Sequence, residues 1–154
     1  MATRGAKLLI GTRKGLLSFE RRGARFELAS VAHDGVPIAF AVNDPRNHAT
    51  WACLDHGHWG QKLSRSLDGG ATWEEIAAPK YPEGAEVPVG FPGTGVRPRK
   101  PATLRYAWYL ALGGKDQPGR LYLGTEPGGL FVSDDNGANW RLCDALWNHP
   151  SRLE

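Results

Sequence analysis

The sequence is poor in cysteine and has no long hydrophobic run, and each shortage excludes a class of protein. Its two cysteines, Cys53 and Cys143, form no CxxC pair, so we expect reduced thiols rather than a disulfide framework or a metal role. No stretch approaches the roughly 18 to 20 apolar residues of a membrane helix, and the amino terminus lacks the apolar segment of an export signal. The sequence therefore predicts a soluble cytoplasmic protein without a membrane partner.

Charge of one sign is also scarce. Nineteen Lys and Arg residues stand against sixteen Asp and Glu residues, which leaves a net charge of +3 in 154 residues. The cations are scattered along the chain and do not form the stripe that a nucleic-acid-binding surface presents. The Gly-rich stretches contain no GxGxxG or GK[ST] frame. We expect neither a nucleic-acid partner nor a cofactor.

Turn-forming residues and tryptophans are plentiful by contrast. The chain has 20 Gly, 11 Pro and 6 Trp, and its combined Gly and Pro content is well above the usual share of about 12%. The apolar runs are short, are separated by Gly, Pro and Asn, and show no sustained 3.6-residue period. This pattern predicts an all-β protein.

An internal repeat defines the architecture. Residues 7–18 and 120–133 both have the pattern of a strand, a glycine turn and a second strand. The frame Ser-x-Asp-x-Gly-x-x-Trp occurs at 66–73 and at 133–140, with a weaker copy at 18–26. The residues of the two complete frames are Ser66, Asp68, Gly70, Trp73, Ser133, Asp135, Gly137 and Trp140.

The frame has a mechanical explanation. An Asp at a turn accepts hydrogen bonds from backbone N–H groups, the Gly takes a positive φ, and the Ser hydroxyl adds a further bond. The Trp begins the next strand and inserts its ring between neighbouring sheets, where its indole N–H can reach a carbonyl. We expect each frame to stabilise a hairpin and to have no catalytic role.

Four-stranded sheets that repeat this turn are typical of a β-propeller. The predicted strands are 7–12, 16–19 and 26–31, then 37–43, 49–54, 61–66 and 73–77, then 103–112, 120–125, 130–133 and 140–143. They form an incomplete propeller arc of about three antiparallel blades: blade 1 (about 7–31, without its inner strand), blade 2 (about 37–78), a Pro-rich loop (79–101), blade 3 (about 102–144) and a linker (145–154). Three blades do not close a ring, so the edges and the apolar flank formed by residues 106–112 and Trp147 are expected to promote self-association.

The two frames resemble the bacterial BNR or Asp-box repeat propellers, which are often labelled sialidase-like or glycosyl-hydrolase-like. The resemblance extends over nearly the whole chain, through residues 9–16, 57–66, 81–84 and 147–152. Members of that group are usually about twice this length, so the likeness is to their amino-terminal half. It implies a propeller that acts as a binding or scaffold module. The alternative is a truncated glycoside hydrolase of the exo-sialidase-like or xyloglucanase-like kind.

In that group, the loops between the second and third strands and those between blades lie on the face opposite the boxes. The resemblance therefore places a ligand funnel, for a glycan or another small polar ligand, on that face. The Pro-rich loop and Trp147, His149 and Arg152 are expected beside it. The ligand-binding candidates are Arg13, Lys14, His33, His56, His58 and Trp59.

Each candidate also has an ordinary structural explanation. Arg13 and Lys14 fit a solvated hairpin tip, and Trp59 fits a filler between blades better than a platform for a sugar. His56 and His58 have no third ligand at a recognised spacing, so no metal site is expected. Asp34, Asp55 and Glu126 are weak candidates for a glycosidase, which needs two carboxylates about 5 to 10 Å apart. No complete catalytic set is visible, and the sequence leaves the question of an enzyme open.

Overall fold

A computed structural model describes residues 6–90 and 97–152, and for Arg152 it describes the backbone alone. The chain divides into two compact units, Met1–Ala77 and Ala78–Glu154. Both units consist of antiparallel β-sheet, which confirms the predicted all-β class. In the part of the chain that is described, no helix has the length and apolar character needed to cross a membrane.

The first unit contains two sheets whose strand order follows the sequence. The first sheet has three strands and the second has four. All seven correspond to strands predicted from the sequence. The strands of the first sheet are β1 (Lys7–Thr12), β2 (Gly15–Arg22) and β3 (Arg25–Ala32). Those of the second sheet are β4 (Ile38–Asn43), β5 (Thr50–Asp55), β6 (Gln61–Ser66) and β7 (Glu74–Ile76).

The core of the first unit lies between these two sheets. Leu16 of β2 packs with Ile38 of β4 and with Ala52 and Leu54 of β5, and the ring of Trp73 lies against this cluster. Strand β1 approaches β4 closely at Gly11, where an added Cβ would lie 3.0 Å from both the Cγ2 and the carbonyl oxygen of Ile38. Glycine at this position lets the first sheet pack against the second.

The second unit begins with a two-stranded ribbon that the sequence pattern did not predict. The strands of the unit are β8 (Glu86–Pro88), β9 (Arg99–Pro101), β10 (Tyr106–Leu112), β11 (Leu121–Glu126), β12 (Gly129–Ser133) and β13 (Arg141–Leu142). Strands β8 and β9 pair within the segment expected to be a Pro-rich loop, and β10 to β13 form a four-stranded sheet. Proline is compatible with the ribbon because each of its strands is an edge strand. Residues 91–96 of the expected loop lie outside the described residues.

The carboxyl-terminal segment differs from the expected linker. A single helical turn, α1 (Asp144–Trp147), follows β13, and Trp147 is only 8% exposed. Its ring lies 5.0 Å from that of Tyr81, which also contacts the ring of Phe131. Trp147 is therefore buried, and the prediction that it forms part of an exposed apolar flank is wrong. In β10, Trp108 and Tyr109 are exposed, at 55% and 57%.

Candidate functional site

The first box turn, residues 66–73, is closed by hydrogen bonds to one carboxylate. Asp68 Oδ1 accepts bonds from Ser66 Oγ at 2.8 Å and from the Thr72 amide at 2.9 Å, and Asp68 Oδ2 accepts the Thr72 hydroxyl at 2.6 Å. The Gly70 amide donates to Ser66 Oγ, and Trp73 Nε1 donates to Gly70 O at 3.2 Å. The hydrogen bonds from Thr72, with that from Ser66, hold the pKa of Asp68 well below its usual range.

The second box turn, residues 133–140, repeats these bonds with one difference. Asp135 Oδ1 accepts Ser133 Oγ and the Asn139 amide, both at 2.8 Å, and Oδ2 accepts Asn139 Nδ2 at 2.7 Å. The bonds from Asn139 lower the pKa of Asp135. Within the described residues Trp140 Nε1 is buried without a hydrogen-bond partner, so the expected indole-to-carbonyl bond forms only at Trp73. In each box the residue before the Trp donates two hydrogen bonds to the Asp carboxylate. This residue is Thr72 in the first box and Asn139 in the second, and the sequence frame did not specify it.

In the first unit, the box turn and the candidate ligand loops lie at opposite ends of the sheets. The box turn follows β6, whereas the loop containing His58 and Trp59 precedes β6. Lys7, at the start of β1, donates its Nζ to Gly69 O in the box turn at 2.7 Å. Arg13 and Lys14 lie at the other end of β1. The box turn therefore occupies one end of the unit and the loops of Arg13, Lys14, His58 and Trp59 the other.

Three connections form the end opposite the box, which we call the loop face. They are the β1–β2 turn with Arg13 and Lys14, the β3–β4 connection, and the β5–β6 loop of residues 56–60. The Gly35 amide donates to Lys14 O at 3.0 Å, and the Asp55 amide donates to Pro37 O at 2.9 Å. These backbone bonds join the three connections into one surface.

His33 lies partly inside this surface. It has a positive φ of 56°, and its ring meets the edge of the Trp73 ring at a centroid distance of 4.7 Å. His33 Nε2 is buried without a hydrogen-bond partner among the described residues. Burial, with a smaller contribution from the charge of His56, lowers the pKa of His33. A neutral imidazole is therefore favoured at this position.

Trp59 is the most exposed large apolar residue of the loop face. The 3-10 turn Gly57–Trp59 presents it, with Gly57 at φ 56° and Gly60 at φ 79° on either side. Its side chain is 73% exposed, and its ring makes an edge contact with His58 at 5.4 Å. Trp59 does not fill a core, so the filler explanation favoured from the sequence is wrong.

The candidate carboxylates have separate surroundings. Asp55 Oδ1 accepts a hydrogen bond from Gln61 Nε2 at 2.7 Å, and Asp34 is exposed. Glu126 belongs to the second unit, where its Oε1 lies 3.8 Å from Arg105 Nη2. Burial raises the pKa of the Cys53 thiol to about 12, which does not suit a nucleophile. Across residues 6–90 and 97–152, no three His, Cys, Asp or Glu side chains are grouped to hold a metal ion.

The second unit has a groove that sequence reasoning missed. The groove has a volume of about 480 Å³ and is lined by Trp108 of β10, Leu130 of β12 and Leu146 of α1. Three glycines, at positions 124, 128 and 129, also line it. His149, which was expected beside the ligand funnel, lies at its rim and bonds Ser151 through Nδ1 at 2.8 Å. The sequence contained two of its elements, Trp108 and the paired glycines 128 and 129, but no pattern that connects them.

Comparison with known proteins supports the fold. No family model matches the chain, and no curated protein matches it. The chain is similar to a solved structure described as "YCF48 bound to D1 peptide", with a TM-score of 0.50 and 17% sequence identity. The match covers 92% of this chain and 40% of the other, so the chain spans less than half the length of that neighbour. YCF48 is a β-propeller, and the likeness confirms a propeller-type fold.

Proposed function

We propose that the protein is a non-catalytic binding module of the Asp-box propeller type, which takes a glycan or another small polar ligand at the loop face. The observation that carries this proposal is the exposed indole of Trp59, held on a short turn beside His58. A large apolar ring that folding leaves exposed is free to stack on the C–H face of a sugar.

The chemistry around Trp59 suits such a ligand. Arg13 and Lys14 of the β1–β2 turn are exposed, and so is His58 of the β5–β6 loop. His56 of that second loop is half-buried. These side chains offer N–H donors for hydroxyl or carboxylate oxygens, while Asp34 offers an acceptor. An apolar platform with a few polar groups around it is the usual composition of a small-molecule site.

The rigidity of the loop face supports the same function. Backbone hydrogen bonds from Gly35 to Lys14 and from Asp55 to Pro37 link its three connections. Loops fixed to a β-scaffold lose little conformational entropy when a ligand binds. YCF48, whose fold this chain resembles, is described as bound to a peptide, which fits a binding role for propellers of this type.

The box turns support the proposed relationship to the Asp-box propellers. Both carboxylates receive the Ser hydroxyl and two donors from the residue before the Trp. This is the self-locking turn expected from the Ser-x-Asp-x-Gly-x-x-Trp frame. A structural role for the box carboxylates means that they need take no part in glycan binding at the loop face.

The alternative, a glycoside hydrolase, has less support. Such an enzyme needs a protonated carboxyl acid and a second carboxylate on either side of the scissile bond. Asp34 is exposed, and Asp55 is engaged by Gln61. Turnover of fluorogenic glycosides that disappears in Asp34→Asn or Asp55→Asn would favour the hydrolase over the binding module.

A glycan array tests the proposal. The wild-type chain should bind a subset of glycans, and Trp59→Ala should weaken that binding about tenfold, which corresponds to a loss of about 1.4 kcal/mol. Phe26→Ala is the matched control because Phe26 is an exposed aromatic residue of the same unit, at 47% exposure on β3. Absence of any bound glycan, or equal binding by the Trp59 variant and the wild type, would contradict the proposal.

A further inference from the structure

We propose that the first unit carries a second ligand site, at the same end as its box turn, which binds a phosphorylated small molecule. The site is a cavity of about 410 Å³. It does not depend on the loop face, because its lining comes from the opposite end of the sheets. We call it the basic cavity.

Three parts of the fold form the basic cavity. The end of β2 contributes Glu20, Arg21 and Arg22, the start of β1 contributes Lys7, and the β4–β5 connection contributes His48. The Arg21 amide donates to Ala6 O at 2.9 Å, which keeps the end of β2 beside the start of β1. Lys7 Nζ donates to Gly69 O at 2.7 Å, which ties this wall to the box turn.

The lining has an excess of positive charge. Lys7, Arg21 and Arg22 contribute three cations, and Glu20 contributes one anion, which lies 3.1 Å from Arg22. The difference of two positive charges matches a phosphate monoester, which carries about −1.5 to −2 at neutral pH. Arg21 donates its Nε–H to Gly23 O at 3.0 Å, a bond that fixes the guanidinium and does not use its paired Nη groups. That fork is suited to two oxygens of one phosphate.

The far wall adds a neutral donor. Asn43 accepts the Thr50 hydroxyl on its Oδ1 at 3.1 Å, which orients the amide and assigns its Nδ2 as a donor. His48, at the tip of the same connection, is exposed and has a φ of 63°. Both residues line the cavity.

A buried ion pair holds this wall in place. Asp44 is fully buried, and its carboxylate accepts Arg46 Nε at 2.8 Å and Arg46 Nη2 at 2.7 Å. The Arg46 amide also donates to Asp44 Oδ1, and the Asp44 amide donates to Ala49 O. Because Asp44 neutralises Arg46, the Arg46 charge does not contribute to the excess in the cavity. The connection is pre-organised, which lowers the entropic cost of binding.

The size of the cavity specifies the class of ligand. A volume of about 410 Å³ falls in the range of about 300 to 1,000 Å³ that small-molecule sites occupy. It exceeds what an inorganic phosphate ion fills, so the cavity has room for an organic group. A sugar phosphate or a molecule of similar size fits both the charge and the volume.

Residue-resolved titration by NMR at constant ionic strength tests this proposal. Glucose 6-phosphate should bind saturably and shift the amides of residues 20–22, 43–44, 46–48 and 69. Inorganic phosphate should shift the same amides at higher concentration, and glucose should not shift them. Glucose shifts confined to residues 13–14 and 55–60 would report the loop face, so failure of one site is distinguishable from failure of the other.

Substitutions distinguish a specific binding site from a general attraction of the ligand to positive charge. Arg21→Gln should weaken glucose 6-phosphate binding about tenfold, and Lys7→Gln, on the neighbouring strand β1, should do the same. Arg25→Gln is the matched control because Arg25 lies in the same hairpin outside the lining. Absence of saturable binding by glucose 6-phosphate, or an equal loss in the Arg21 and Arg25 variants, would overturn the proposal.

Discussion

The carboxylate of Asp68 illustrates how far single residues can be interpreted from the sequence. The frame predicts that this side chain closes a turn, and in the structure it accepts bonds from Ser66 and Thr72. The role of Thr72 was not predicted because the frame treats that position as variable. Trp59 was interpreted as a filler between blades rather than a platform for a sugar, and the two glycines around it did not indicate which way the ring points.

We expect Asp68→Ala to destabilise the protein without changing ligand affinity. The substitution leaves the Thr72 amide and two hydroxyl groups without their acceptor, so the Tm should fall by a few degrees. Thermal unfolding checks this, with Asp34→Ala as the control because Asp34 is an exposed carboxylate of the same unit. If Asp68→Ala leaves the Tm unchanged, as Asp34→Ala is expected to do, the stabilising role of the box turn is contradicted.

His33 should make the fold sensitive to mild acid. Its folded-state pKa lies below the ordinary value of 6.5, so the unfolded chain binds a proton more readily than the folded chain. The stabilisation is complete above pH 6.5 and is lost as the pH falls through the folded-state pKa. The His33→Asn variant keeps a residue that tolerates a positive φ and removes this titration. Urea unfolding at several pH values should show a smaller acid loss in the variant, and identical pH profiles would contradict the assignment.

At the scale of elements, the short apolar runs between Gly, Pro and Asn residues predicted the main strands well. All eleven predicted strands are present. The β8–β9 ribbon was missed because prolines lower strand propensity, although a two-stranded ribbon tolerates them at its edges. Helix α1 was missed because a single turn contains too few residues to show helical periodicity.

The close approach of β1 to β4 gives a prediction at this scale. Gly11→Ala would place a methyl group 3.0 Å from the Ile38 carbonyl oxygen, which is backbone and has little room to move. We expect a destabilisation of about 1 to 3 kcal/mol. Gly124→Ala is the matched control, since Gly124 holds the same position in the repeat and an added Cβ there meets only Tyr109 O at 3.9 Å. Chemical denaturation of both variants checks the difference, and equal stabilities would contradict the close packing.

At the scale of the whole molecule, the resemblance predicted a propeller-type fold that the comparison with YCF48 supports. The position of the loop face followed from strand direction, because β6 separates the loop of residues 56–60 from the box turn. The groove of the second unit was not predictable, since it depends on where α1 places Leu146. The basic cavity was missed because its lining comes from separate parts of the sequence, residues 7, 20–22, 43, 45, 48 and 69.

We expect the isolated chain to self-associate. Strand β1 is an edge strand of its sheet, with Leu8 and Ile10 exposed, and Trp108 and Tyr109 are exposed on the second unit. Exposed edges and apolar patches of this kind promote pairing between copies. Light scattering should give a mass that rises with concentration, and Trp108→Glu should reduce the rise. A monomer at every concentration tested would contradict this expectation.

The central claim is that the loop face binds the ligand and that the box turn, at the other end of the first unit, stabilises the fold. Amide chemical-shift mapping with the best glycan from the array tests it most directly. The account predicts saturable shifts at residues 13–14, 33–35 and 55–60, with residues 66–72 unchanged. Shifts centred on residues 66–72, or no saturable shift at the loop face, would contradict it.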